Sequence, residues 1–88
     1  MGRCSKTVKL KGGFTVEART ARREYTCFYC RKSIQVGDPY VIVEGVKTSL
    51  VERYHVECFN RVMPHRLVAR VEAGRVEVCR ALEDDSTF

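Results

Sequence analysis

The sequence predicts a small α+β domain, with β-hairpins around one metal site and a short helix after the second pair of ligands. Three observations carry that prediction. Cys27 and Cys30 form a Cys-x-x-Cys pair, His55 and Cys58 form a His-x-x-Cys pair, and 24 residues separate the two. Short runs rich in β-branched and aromatic residues alternate with turn signals at Gly12-Gly13, Gly37-Asp38-Pro39 and Ala73-Gly74. The chain is 88 residues long, one domain at most, and cores this small commonly need a metal or disulfide staple.

The paired spacing is that of a structural zinc site. A two-residue spacer lets both side chains of a pair reach one ion from a single turn of backbone. Two such pairs close a tetrahedron and leave no position for water or substrate. The expected cofactor is therefore one structural Zn2+ on Cys27, Cys30, His55 and Cys58. Such an ion contributes roughly 10–16 kcal/mol of apparent binding energy, which becomes folding energy if the metal-free chain is unfolded. A lone Cys-x-x-Cys also suits thiol redox chemistry, but that reading needs a βαβ scaffold the sequence does not suggest.

The elements follow in order. Thr7 to Arg19 reads as two strands joined through Gly12-Gly13, with Lys9 and Lys11 on one face. Thr20 to Arg23 is a basic connector into the first ligand pair. Tyr40 to Val43 is a buried strand after the Gly37-Asp38-Pro39 turn, Lys47 to Leu50 a loop, and Val51 to Tyr54 a returning strand that delivers His55. His55 to Met63 is expected to be helical, with Phe59, Val62 and Met63 on one face and Pro64 as its stop. Leu67 to Ala81 folds on paper as a hairpin that pairs Glu72 with Arg75, Arg70 with Glu77, Val71 with Val76, Ala69 with Val78 and Val68 with Cys79. That register puts Val71, Val76, Ala69 and Val78 on one face and two opposite-charge pairs on the other. A rival is a helix from Pro64 to Ala73 capped by Gly74. One domain over 1–82 is thus expected, with its zinc core at 25–63, a C-terminal hairpin at 66–81 and an acidic tail at 83–88. Cys4 and Cys79 are left over. They read most simply as unrelated, but both flank hairpins that can share a sheet, so a disulfide between them stays open.

Charge is unevenly spread. Residues 1–32 hold nine Lys/Arg against two Glu, so the whole formal excess of +5 lies in the first third. A one-sided basic segment points to a polyanion, most simply nucleic acid; the plainer reading is a solvated surface. No apolar run approaches a membrane span, and the N-terminus lacks the apolar stretch of a secretory signal. An intracellular site of action, in cytoplasm or nucleus, is expected.

The stretch from Val16 to Val62 also resembles the zinc finger of poly(ADP-ribose) polymerases, which occurs too in a DNA ligase and in DNA-end repair enzymes. The likeness rests on Val16-Glu17-Ala18 followed by Arg19, Arg22 and Arg23, on Lys32, Ile34 and Gly37 after the Cys pair, and on Arg53-Tyr54-His55-Val56-Glu57-Cys58-Phe59. It covers about half of the chain. This chain has a shorter span between its pairs, and Arg53 stands where the family has Trp. The resemblance implies that Cys27, Cys30, His55 and Cys58 ligate zinc. It also implies that Arg22 or Arg23 contacts phosphate, and that an apolar loop covers exposed bases at DNA breaks. No catalytic domain fits in the remaining residues, so enzyme activity is not expected.

Combined, these readings give a non-enzymatic, zinc-dependent nucleic-acid-binding module, with DNA favoured over RNA. Phosphate contacts are assigned to Arg19, Arg22, Arg23, Arg31 and Lys32, flanked by Lys9 and Lys11. Phe28, Tyr29, Leu50 and Val51 are the candidates for base stacking, although Phe28 also suits shielding of the metal site. The alternatives are a protein-interaction zinc module with a partner protein, or an RNA- or ribosome-associated zinc protein.

Overall fold

A computed structural model describes residues 4–10, 12–45, 47, 49–62 and 67–80. Within them the chain forms nine strands and one helix. In order these are β1 (Cys4–Ser5), β2 (Thr7–Leu10), β3 (Phe14–Thr20), β4 (Tyr25–Thr26), β5 (Ser33–Ile34), β6 (Pro39–Gly45), β7 (Val51–His55), α1 (Val56–Val62), β8 (Leu67–Glu72) and β9 (Arg75–Arg80). Every paired strand runs antiparallel, in sheets of order β2-β3-β6-β7, β1-β9-β8 and β4-β5. The small α+β class is as the sequence predicts.

The four-stranded sheet has two faces of different character because its register is a strict alternation. Val8 opposes Val16, Val16 opposes Val43, Ala18 opposes Val41 and Val41 opposes Tyr54. All of these are buried. Against them pack β9, through Val76 and Val78, and the helix, through Phe59, to make one continuous core. The opposite face carries Glu17, Arg19, Tyr40, Ile42, Arg53 and His55 in register. On this second face Tyr40 and Ile42 are buried as well, while Arg19 is exposed.

Turn chemistry sets the strand ends. Gly12 and Gly13 both take positive φ, 93° and 83°, which links β2 to β3 as expected. At the second turn the Gln35 amide donates to Asp38 Oδ2 at 3.0 Å and the Asp38 amide to the Gln35 carbonyl at 2.9 Å. The Gly37 amide also donates to the Ala21 carbonyl at 2.8 Å, so the basic connector is tied to this turn through buried Ala21.

The C-terminal hairpin has the expected register, Glu72 opposite Arg75 through Val68 opposite Cys79. Its turn residues Ala73 and Gly74 both adopt positive φ, 54° and 77°. The rival helix over 64–73 is excluded across Leu67–Glu72, which is strand. Two details differ from expectation. Val71 is 50 % exposed while Val76 directly opposite is buried, because β8 is the outer strand of its sheet and β9 the inner one. Arg70 pairs with Glu72 on its own strand at 3.0 Å instead of with Glu77; residues two apart on one strand face are roughly 7 Å apart, within reach of an extended guanidinium.

The helix also differs. It begins at Val56, after His55 has ended β7, and Val62 is 40 % exposed while Phe59 is fully buried. A helix of seven residues offers one turn to the core, and Phe59 occupies it. Met63, Pro64, Lys11 and the acidic tail at 83–88 lie outside the described residues.

Cys4 and Cys79 are not unrelated. β1 pairs with β9 so that the two stand directly opposite, and they form a disulfide across 75 residues of chain. The simpler reading from sequence is overturned by a long-range pairing that two exposed residues of β1 give no local sign of.

Candidate metal centre

The first ligand pair sits on a miniature hairpin. β4 leads into Cys27, whose carbonyl accepts the Arg31 amide at 3.0 Å and whose amide donates to the Lys32 carbonyl at 2.9 Å. Arg31 closes the turn with φ 66°, a left-handed conformation that costs a non-glycine residue about 1 kcal/mol. The Phe28 amide donates to the Arg53 carbonyl at 2.7 Å, which fastens this knuckle to the edge of β7. The second pair comes from the β7–α1 junction. His55 is the last strand residue, and Cys58 lies in the first turn of the helix.

These elements bring one ligand atom from each of Cys27, Cys30, His55 and Cys58 within 4.8 Å of one another, close enough to hold one metal ion. His55 Nδ1 lies 3.4 Å from Cys30 Sγ and 3.9 Å from Cys58 Sγ. Its other ring nitrogen, Nε2, donates to the Ser33 carbonyl at 3.0 Å. That bond puts the proton on Nε2 and turns the Nδ1 lone pair toward the three sulfurs. Sequence reasoning singled out the four clustered residues but not Ser33, whose contribution is a backbone carbonyl and leaves no residue signature.

The thiols show why the cluster suits a cation. Cys27 is completely buried, and burial alone would raise its pKa. The N–H groups of Cys30, His55 and Tyr29 aimed at its sulfur outweigh this and bring it down to about 6. Cys58 is pushed up to about 12, first by burial and then by the neighbouring Cys27 and Cys30 sulfurs. Three thiolates at this separation repel one another, and a bound divalent cation removes that penalty by deprotonating coordinating thiols outright.

The expected nucleic-acid residues fall into separate places. Arg19 and Arg22 line one groove together with Lys6, Glu17, Tyr25 and Tyr40. Arg19 is held there by Glu17, at 2.8 Å. That hydrogen bond, with a further one to the Tyr40 hydroxyl, raises the guanidinium pKa above its ordinary value against the opposing effect of burial. Lys6 was not singled out in the sequence; it comes to the groove because the Ala18 amide donates to its carbonyl at 2.7 Å. Arg23, Arg31 and Lys32 are exposed on the connector and the knuckle, and Lys9 is exposed on the edge strand β2. Lys32 and Arg61 border a second concavity over the outer side of the metal centre.

The stacking candidates do not converge. Phe28 meets Tyr54 edge-on at 5.9 Å and lies under the Arg31 guanidinium at 5.1 Å, so it is engaged with the fold on both sides. Tyr29 is 52 % exposed. Val51 opens β7 and Leu50 precedes it, four and five residues from His55 and so roughly 13–17 Å from it along an extended strand. Arg53 places its guanidinium 4.2 Å from the Tyr25 ring, a cation–π contact, although Arg53 Nε is buried without a hydrogen-bond partner.

No protein-family description, curated protein or solved structure matches the chain. Among the described residues no helix is long and apolar enough to cross a membrane.

Proposed function

We propose that this protein is a non-enzymatic, zinc-stabilised nucleic-acid-binding module acting inside the cell, with DNA favoured over RNA. The observation that carries the reading is the convergence of Lys6, Arg19 and Arg22 on one groove beside the knuckle, with Arg23 next to them in the chain. Among the described residues, the ion pairs are Arg19–Glu17 and Arg70–Glu72, so most of these cations have no carboxylate to satisfy them. Guanidinium groups in such a cluster bind phosphate oxygens bidentately and need no base sequence to do so.

Zinc is the metal proposed for the Cys3His cluster. Three thiolates and one imidazole are a soft donor set typical of closed structural zinc sites. Tetrahedral zinc would space its sulfurs about 3.8 Å apart and a sulfur and nitrogen about 3.5 Å apart, from bond lengths near 2.3 and 2.0 Å. Both His55 distances, 3.4 and 3.9 Å, are of the sulfur–nitrogen kind and bracket that second value. The resemblance to fingers of the poly(ADP-ribose) polymerase type supports the same reading.

The test is a gel shift of zinc-loaded protein with blunt, nicked and single-stranded DNA and with RNA, repeated with the Arg22→Ala/Arg23→Ala double variant. DNA binding that weakens in the variant while zinc content and fold persist is the expected result. A preference for RNA transfers the function to that polymer, and loss of fold in the variant assigns the arginines to structure.

A further inference from the structure

The groove around Arg19 and Tyr40 has dimensions and charge that a continuous sugar–phosphate backbone does not require. Its volume is about 470 Å3, and Lys6, Arg19, Arg22, Tyr25 and Tyr40 line it together with a single carboxylate, Glu17. That volume falls in the range of small-molecule sites, roughly 300–1,000 Å3, and is large enough for a nucleotide rather than a bare phosphate. Three cations against one carboxylate leave two positive charges uncancelled. Glu17 is engaged with Arg19, so Lys6 and Arg22 are the cations with no partner among the described residues. An internal phosphodiester brings a single negative charge, whereas a phosphomonoester brings about −1.5 to −2 at pH 7.

The placement is held from several sides. Arg19 is fixed by Glu17 and by the Tyr40 hydroxyl. Tyr40 is itself 2 % exposed and packs on Tyr25 with ring centroids 5.4 Å apart. Lys6 is bracketed by the Cys4–Cys79 disulfide two residues earlier and by the hydrogen bond from Ala18. A site assembled in advance loses less freedom on binding than a mobile basic arm.

We propose that this groove seats the phosphorylated end of a nucleic-acid strand, its terminal phosphomonoester received by Lys6 and Arg22 beside the fixed Arg19. The proposal rests on the nucleic-acid reading and narrows it to strand termini that carry phosphate.

The experiment compares zinc-loaded full-length protein binding one single-stranded oligonucleotide prepared with a 5′-phosphate, with a 3′-phosphate or with hydroxyls at both ends. One of the phosphorylated forms is expected to bind about tenfold tighter or more, as one added charge-assisted contact implies. The Lys6→Gln/Arg22→Gln variant, with zinc content checked to confirm its fold, is expected to bind all three alike. NMR titration with a nucleoside 5′-monophosphate and its unphosphorylated nucleoside gives a second readout, with shifts at Lys6, Arg19 and Arg22 for the phosphorylated ligand alone. Equal, salt-sensitive affinity for all three oligonucleotides overturns the terminal-phosphate site and leaves nucleic-acid binding standing. Binding to none of them while the blunt or nicked duplexes still shift overturns the site alone, and binding to no nucleic acid overturns both.

Discussion

Asn60 and Ala69 exchange two hydrogen bonds. Asn60 Nδ2 donates to the Ala69 carbonyl at 2.8 Å, and the Ala69 amide donates to Asn60 Oδ1 at 2.7 Å. β8 is the outer strand of its sheet, so one backbone edge would otherwise face no partner. The carboxamide stands in for a neighbouring strand at that residue, and it does so from the helix that carries Cys58. The metal-centre helix and the C-terminal hairpin are joined there as one unit. Asn60→Ala should therefore cost about 1–3 kcal/mol, the penalty for leaving buried backbone groups unpaired. Thermal unfolding and faster hydrogen exchange at the Ala69 amide would show it. Asn60→Asp should be damaging too, since it keeps the acceptor but loses the donor.

Metal removal is the larger perturbation. Chelation should unfold the knuckle and release α1, seen as loss of near-UV circular dichroism and of amide protection at Phe59. Cobalt(II) in place of zinc should give the intense absorption of tetrahedral thiolate ligation, reduced in Cys30→Ser and Cys58→Ser. Apparent metal affinity should fall as pH falls, because ion binding displaces protons from the thiols. A metal content well below one ion per chain would remove the basis for a closed site.

The disulfide gives a separate test. Under non-reducing conditions, with metal removed, three of the five cysteines should react with a thiol reagent, and all five after reduction. Cys4→Ser should lower stability by about 2–4 kcal/mol, as expected for a cross-link that closes a long loop. Because Lys6 follows two residues after Cys4, the same variant should also weaken nucleic-acid binding.

Among the described residues two hold left-handed backbone without being glycine, Arg31 and Ala73. Ala73→Asn should stabilise the hairpin by up to about 1 kcal/mol, because Asn-Gly suits a turn with two positive φ angles. Arg31→Gly relieves similar strain but removes a cation that covers Phe28. Its stability should change little while nucleic-acid affinity drops, and a drop in stability without loss of affinity would make Arg31 a packing residue.

These elements divide according to how local their causes are. The register of β8 and β9 was legible because one alignment sorts apolar and charged residues onto opposite faces at once. The clustering of Cys27, Cys30, His55 and Cys58 was legible because two-residue spacers bring each pair together within one turn of backbone. Pairing of Cys4 with Cys79 was not, since it depends on a two-residue strand reaching the opposite end of the chain. Asn60 and Ser33 act through backbone partners that no pattern of residue types announces. Lys6, between β1 and β2, entered the groove only because its carbonyl is held by the Ala18 amide of β3. Val62 was misplaced because helical periodicity names a face but not how much of that face the neighbouring sheet is wide enough to cover.

The dependence of nucleic-acid affinity on salt tests the functional claim most directly. Zinc-loaded protein should lose affinity steadily as salt rises, with log K falling against log salt by about 0.7–0.9 for each phosphate neutralised, or roughly 2–5 in all. The Lys6→Gln/Arg22→Gln variant should give a shallower slope. An affinity that stayed level between low and moderate salt would contradict a phosphate-binding face on this domain.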